Sequence, residues 1–256
     1  MTGDYKAVYD SWLADPQAFW ARAADDVQWY EPWTSVLNDS RPPFYRWFEG
    51  AQLNTCYNAL DYHVENGRAE QPALIYDSPV TDTVRQYSYR QFRDEVAHLA
   101  GALVQTGVAK GDRVIIYMPM VPETVMAMLA CARIGAVHSV VFGGFAADEL
   151  ATRIDDARPK LILSASCGIE AQRLIEYKPL LDKAIDSARC KPETCLILQR
   201  PQVTADLVDG RDCDWQEAVS KLIKSYSRVE VWTDDLRTTR IWLHDSTLKN
   251  EPSENM

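Results

Sequence analysis

Four short runs of apolar residues punctuate the middle of the chain, and each is followed or preceded by a stretch with helical spacing. RVIIYM (113–118), AVHSVVF (136–142), KLILSA (160–165) and TCLILQ (194–199) have strand length and no polar alternation, which predicts strands covered on both faces. Between them lie predicted helices. Ser88 and Gln91 form a capping box, after which Phe92, Val96, Leu99, Ala100, Leu103 and Val104 recur at helical spacing as far as Gly107. Pro122 suits a first helical turn, and VMAMLACARI continues to a stop at Gly135. AADELATRIDDA (146–157) and LIEYKPLLDKAIDSA (174–188) also read as helices, the second despite Pro179. Upstream, NTCYNALDYHVENG (54–67) predicts a helix capped by Asn54 and stopped in the left-handed region by Gly67, with PALIYDS and QYSY as short strands. Strands alternating with helices of this length imply an α/β fold: a mostly parallel, doubly wound sheet with helices on both faces.

The two ends differ from this middle. To about Glu49 the chain is dense in Trp, Tyr and Phe and is interrupted by Pro16, Pro32, Pro42 and Pro43. Such a segment is expected to wrap over a larger body with its aromatic side chains buried as anchors, a ring-stacking ligand site being the other reading. From Lys221 onward there is no alanine and no glycine, against 28 alanines and 11 glycines before it. That shift predicts a divergent tail, with a frame change, a retained intron or an alternative end as its origin and an ordinary polar tail as the other reading. The expected organisation is 1–85 as an aromatic wrapping segment, 86–220 as an incomplete α/β subdomain, and 221–256 as the tail.

Composition narrows the partners. A net charge of −10 speaks against a nucleic-acid partner and against an anionic membrane surface. No apolar run approaches the roughly 20 residues of a bilayer span, and MTGDYKAVYDSW has neither a secretory nor a presequence pattern, so the cytoplasm is expected. Six scattered cysteines without a CxxC pair read as reduced structural thiols.

Ligands of open α/β sheets bind beyond the carboxyl ends of the strands. Two segments qualify. Phe142-Gly143-Gly144-Phe145 would let a ligand pass close to bare backbone, and the helix after it could turn free N–H groups toward an anion; a plain tight turn explains the same residues. The second is the loop 166–173, where Arg173 could serve a phosphate or simply face solvent. Cys167 has no histidine near it in sequence and reads as structural. His138 reads as a core or interface residue rather than a base. The four histidines are too dispersed for a metal site, and no catalytic residue is assigned.

The segment from GVAKGDRVIIYMPMVPETVMAMLACARIGAVHSVVFGGF through to LIEYKPLLDKAID closely resembles the acetyl- and propionyl-CoA synthetases of the adenylate-forming superfamily. NTCYNALDYHVENGRAEQPALIYDSPVT looks more like the propionyl branch, and the likeness runs from about Tyr5 to about Val219. The resemblance implies a partial N-terminal domain of the adenylate-forming fold. It also implies an enzyme that joins a short-chain carboxylate to ATP and then to CoA, releasing pyrophosphate and AMP, with magnesium. By the same resemblance Gly143 and Gly144 would let the CoA arm pass, and Arg173 would face its nucleotide end. A further arginine of the acetyl branch is replaced here by Glu170, which opposes a phosphate. The family's Ser/Thr/Gly-rich phosphate loop ends in Pro-Lys-Gly and should follow Val219, yet no glycine lies beyond Gly210. A truncated ligase, inactive alone, is therefore expected, the alternative being a non-catalytic fragment that binds CoA or a partner. An unpaired sheet edge is expected to promote self-association. A free-standing dinucleotide-binding domain is disfavoured because GxGxxG is missing.

Overall fold

The computed structural model describes residues 4–143, 146–170 and 173–225. The chain opens with α1 (Tyr5–Ala14), α2 (Pro16–Ala24) and an antiparallel pair, β1 (Ser35–Asn38) and β2 (Arg46–Glu49). A helix with a π-wound turn at Tyr57–Asp61 follows, and its later stretch Val64–Arg68 is broken by the non-helical Asn66 and Gly67. Asn54 caps it, its Oδ1 accepting from the Tyr57 N–H at 2.9 Å. Gly67, at φ +80°, ends it in the left-handed conformation that costs glycine nothing. The hairpin β3 (Pro72–Ser78) and β4 (Thr83–Ser88) leads into α3 (Tyr89–Gln105). There the capping box forms in both directions: Ser88 Oγ accepts from the Gln91 N–H at 3.2 Å, and Gln91 Oε1 accepts from the Ser88 N–H at 3.0 Å.

The body then alternates: β5 (Arg113–Met118), α4 (Pro122–Arg133), β6 (Val137–Phe142), α5 (Ala147–Ala157), β7 (Leu161–Ala165), the pair β8 (Cys167–Glu170) and β9 (Arg173–Glu176), α6 (Tyr177–Ser187), β10 (Thr194–Leu198), β11 (Asp212–Asp214) and α7 (Trp215–Ser225). Five strands make one wholly parallel sheet in the order β6-β5-β7-β10-β11. Alternate strand residues face opposite sides. Val114, Ile116, Leu161, Leu163 and Leu196 pack toward α3, α4 and α7, while Ile115, Tyr117, Ile162 and Ile197 pack toward α5 and α6. Both sides being buried, the strands carry no polar alternation, as their sequences imply. Among the described residues no helix is long and apolar enough to cross a membrane.

Three expectations are corrected. Leu174–Glu176 is not helical: β9 pairs antiparallel with β8, Ile169 opposite Leu174 and Glu170 opposite Arg173. The helix begins at Tyr177, which puts Pro179 in its first turn, where a missing N–H costs no hydrogen bond. Val104 falls off the buried stripe of α3 and is exposed. The aromatic N-terminal segment is not a row of buried anchors, since Tyr5 is 80% exposed and Phe44 75%. It builds small elements of its own, and its rings pack on each other. Trp33 lies 5.3 Å from Trp29 and 5.2 Å from Phe48, centroid to centroid. The boundaries drawn at 85 and 220 fall within β4 and α7, and the tail from residue 226 lies outside the described residues.

The N-terminal third is tied to the body by buried polar contacts. Within that third, Asn58 exchanges two half-buried hydrogen bonds with the Gln28 backbone, at 2.8 and 3.0 Å, and the links to the body come from Asn54 and Asp61. The Asn54 amide donates to the carbonyls of Ala132 and Arg133. Arg133 of α4, fully buried, forms a bidentate pair with Asp61 at 2.7 and 2.8 Å and reaches Cys56 Sγ.

Candidate functional site

Strand order locates the site. β5 is followed in sequence by its neighbour on one side, β6, and then by its neighbour on the other, β7. From β7 the chain moves on to β10, away from β5, so the connections leaving β5 (through α4) and β7 (through α6) lie on opposite faces of the sheet, and a crevice opens where they part, beyond the carboxyl ends. A cleft of about 540 Å³ lies at this edge. Its walls include Met118, Met120 and Val121 after β5, Val140 and Gly143 from β6, Ile169 and Glu170 of β8, and Arg200 after β10. The β3–β4 turn, from Ser78 to Thr81, closes the far side. α4, α5 and α6 all begin at this edge, and none has a side-chain cap for its first N–H groups. Helix starts without side-chain caps favour negative charge, which Glu123 of α4 and Asp148 and Glu149 of α5 already supply in part.

Ser166 ties the ends of β7, β10 and α6 together. Its N–H donates to Leu198 O, its carbonyl accepts from the Tyr177 N–H, and its Oγ accepts from the Arg200 N–H at 2.9 Å. Arg200 also donates through Nη1 to the Cys167 carbonyl at 3.1 Å, so its guanidinium is anchored beside the cleft. Tyr117 and Tyr177 stack with centroids 5.0 Å apart, and the Tyr117 hydroxyl donates to Gly143 O at 3.2 Å. Burial, with smaller contributions from Tyr177 and Glu170, pushes Tyr117 up to about 12. Burial and then Glu170 raise Tyr177 as well. Both remain neutral hydroxyls at ordinary pH and are not bases.

The sequence-selected residues divide between this cleft and its surroundings. Gly143 lines it; Gly144 lies outside the described residues. Arg173 is exposed on the β8–β9 pair, opposite Glu170 in the ladder, so the cation and the acid noted from sequence share one end of that pair. Cys167 is fully buried. His138 stands half-buried on the edge strand β6, and burial lowers its pKa. All six cysteines are unpaired thiols, and no cluster of metal-ligating side chains occurs among the described residues.

Sequence reading missed Tyr177, Arg200 and the β3–β4 turn. Arg200 had a usable signal, since it follows an apolar strand at its carboxyl end. Tyr177 had none, because its neighbours Gly143 and Gly168 are remote in sequence.

The comparisons with known proteins agree with this architecture. Residues 60–238 match the AMP-binding enzyme family, running past Val219, and residues 5–59 match the acetyl-coenzyme A synthetase N-terminus. The mitochondrial acyl-CoA synthetase short-chain family member 3 of Rattus norvegicus is 51% identical over 86% of this chain and 32% of its own length. The propionate–CoA ligase of Salmonella typhimurium is 46% identical over 82% of this chain and 33% of its own. The acetoacetyl-CoA synthetase from Streptomyces lividans superposes with a TM-score of 0.76 at 25% identity, covering 90% of this chain and 34% of that one. The chain thus spans about a third of the length of these relatives. It belongs to the AMP-binding enzyme family and corresponds to the N-terminal portion of its short-chain acyl-CoA synthetases.

Proposed function

We propose that this chain supplies the CoA-side part of an ATP-dependent ligase. The reaction joins propionate or acetate to CoA and releases AMP and pyrophosphate. We further propose that the 256 residues do not catalyse it unaided. The observation that carries this reading is the cleft at the carboxyl edge, with the Gly143 backbone and the uncapped starts of α4 and α6 in its lining. Apolar walls at Met118, Val121, Val140 and Ile169 suit a slender amide-bearing arm such as pantetheine. The helix starts and the anchored Arg200 favour the phosphates of the nucleotide end. CoA would supply the thiol; Gly143 and Arg200 would bind and orient it, with Arg173 and Gly144 assigned to the same ligand by resemblance. Glu170 works against a phosphate there, and Arg173 beside it is the counter-charge.

ATP and its magnesium do not fit these residues. A triphosphate is held by successive backbone N–H groups of a glycine-rich loop, and no glycine follows Gly210. No adenylation step is therefore assigned to any residue of this chain. The working division remains 1–85, 86–220 and 221–256, and a cytoplasmic location belongs to the same proposal.

Two assays on the purified chain test it. Propionate- or acetate-dependent ATP–pyrophosphate exchange is expected to be absent, and exchange above the protein-free blank overturns the inactivity. Calorimetric titration with CoA is expected to show saturable binding, and no binding overturns the CoA-side assignment. A second reading, a fragment that works by pairing, is favoured by the open edge of β6, where Val140 is 47% exposed. Sedimentation at rising concentration tests it: association supports pairing, and a monomer throughout removes it.

A further inference from the structure

Glycine at 143 has a reason within this chain, independent of any ligand. A Cβ placed on Gly143 would lie 1.9 Å from the Tyr177 hydroxyl oxygen and 2.3 Å from its Cζ. A Cβ on Gly168 would lie 2.5 Å from the same oxygen and 2.6 Å from Cζ. Neither backbone has the positive φ that would itself call for glycine. The two residues sit at the ends of different elements, one leaving β6 and one within β8, and the tyrosine ring stands against both where side chains would otherwise be. Tyr177 is 3% exposed. Its ring is held from another side by Tyr117, which in turn bonds Gly143 O, and its own N–H is held by Ser166 O.

We propose that Tyr177 is the positioning residue of the cleft. Its ring, wedged between the bare backbones of Gly143 and Gly168, sets the level at which the Gly143 backbone faces the opening, and so the clearance left for a slender ligand arm. The clearance part rests on the CoA-side reading above; the wedge does not. Tyr177 carries out no chemistry. It is buried and anchored through its backbone, and it holds the Gly143 backbone while itself belonging to the cleft lining.

A double-mutant cycle on the full chain decides the wedge. Gly143→Ala is expected to lower the melting temperature by about 5 °C or more, as overpacking does in a chain of this size. In the Tyr177→Leu background the same Gly143→Ala change is expected to cost little, because the atoms it would strike are gone. Equal costs in both backgrounds, or no cost in either, overturn the proposal. If Gly143→Ala alone yields no folded protein, recovery of folded protein in the double variant reports the same coupling, and failure to recover it overturns the wedge. For the clearance, CoA titration is run on the wild type, Tyr177→Phe and Tyr177→Leu. Tyr177→Phe keeps the ring and is expected to bind as the wild type. Tyr177→Leu, folded by circular dichroism, is expected to lose tenfold or more in affinity, and wild-type affinity in that variant overturns the positioning role. Absence of CoA binding by the wild type would sink the CoA-side reading and the clearance with it, while the cycle still judges the wedge.

Discussion

Removing the carboxylate of Asp61 should expose how strongly the N-terminal third is bound to the sheet. Arg133 is fully buried and its two terminal nitrogens meet the two Asp61 oxygens at 2.7 and 2.8 Å, with the Asp61 side chain 7% exposed. Burial, the largest single influence, lowers the Arg133 pKa, and the hydrogen bonds and charges of Asp61 and Cys56 together more than offset it; a guanidinium does not give up its proton inside a protein even when its partner is removed. Asp61→Ala thus leaves a buried cation uncompensated. Breaking one side of such a pair costs about 3–5 kcal/mol, a large part of the roughly 5–15 kcal/mol by which a domain is stable. For a chain of this length that is a fall of about 6–20 °C in melting temperature. The double variant Asp61→Leu/Arg133→Met removes both charges and keeps apolar volume, and it should recover most of the loss. Urea denaturation followed by tryptophan fluorescence measures all three proteins, with the slope of the transition checked for constancy. A cost below about 1 kcal/mol for Asp61→Ala, the range of an exposed pair, would refute the claim that this contact holds the two parts together. So would a double variant no more stable than the single one.

Thiol reactivity offers an independent check on the packing. In native protein Cys213, which is exposed, should react promptly with an aromatic disulfide reagent and half-buried Cys190 more slowly, while Cys56, Cys131, Cys167 and Cys195 stay protected until denaturant is added; fast modification of more than two thiols would contradict the buried core. Alkaline pH should weaken the fold through Tyr117. Its folded pKa is raised by burial to about 12 against roughly 10 in an unfolded chain. The folded state thus holds the proton more tightly, and this contribution is complete below pH 10 and lost as pH rises toward 12. Tyr117→Phe should show a smaller fall in melting temperature between pH 10 and 12 than the wild type, and an identical fall in both would remove Tyr117 from the alkaline transition.

Much of the body was legible because its signals are local. The Ser88–Gln91 box, Pro122 at a helix start, the Gly67 stop and the unbroken apolar runs of β5, β6, β7 and β10 each depend on residues a few positions apart. The β8–β9 pair was not legible, since Leu174 and Ile175 fit the spacing of the helix that follows and only pairing with Cys167–Glu170 makes them a strand. β11 and its Asp212 carry no strand signal of their own. The strand is defined by its parallel pairing with β10 and by the buried ion pairs of Asp212 with Lys178 and Arg211. The N-terminal aromatics were misjudged because ring content says that large apolar side chains will find contacts and not with what. Here the contacts are largely with each other.

The candidate site divides the same way. Sequence alone determined that glycines follow the strand ending at Phe142, that the chain resembles acyl-CoA synthetases, and that no glycine follows Gly210. These follow from residue type and spacing. Tertiary structure decided the strand order that opens the cleft between the β5 and β7 crossovers. It brought Arg200 and the β3–β4 turn to that cleft, paired Arg133 with Asp61 across 72 residues, and set one tyrosine ring against two distant glycines. Each of these depends on which surfaces bury one another, and burial is a property of the assembled sheet and helices rather than of any single segment.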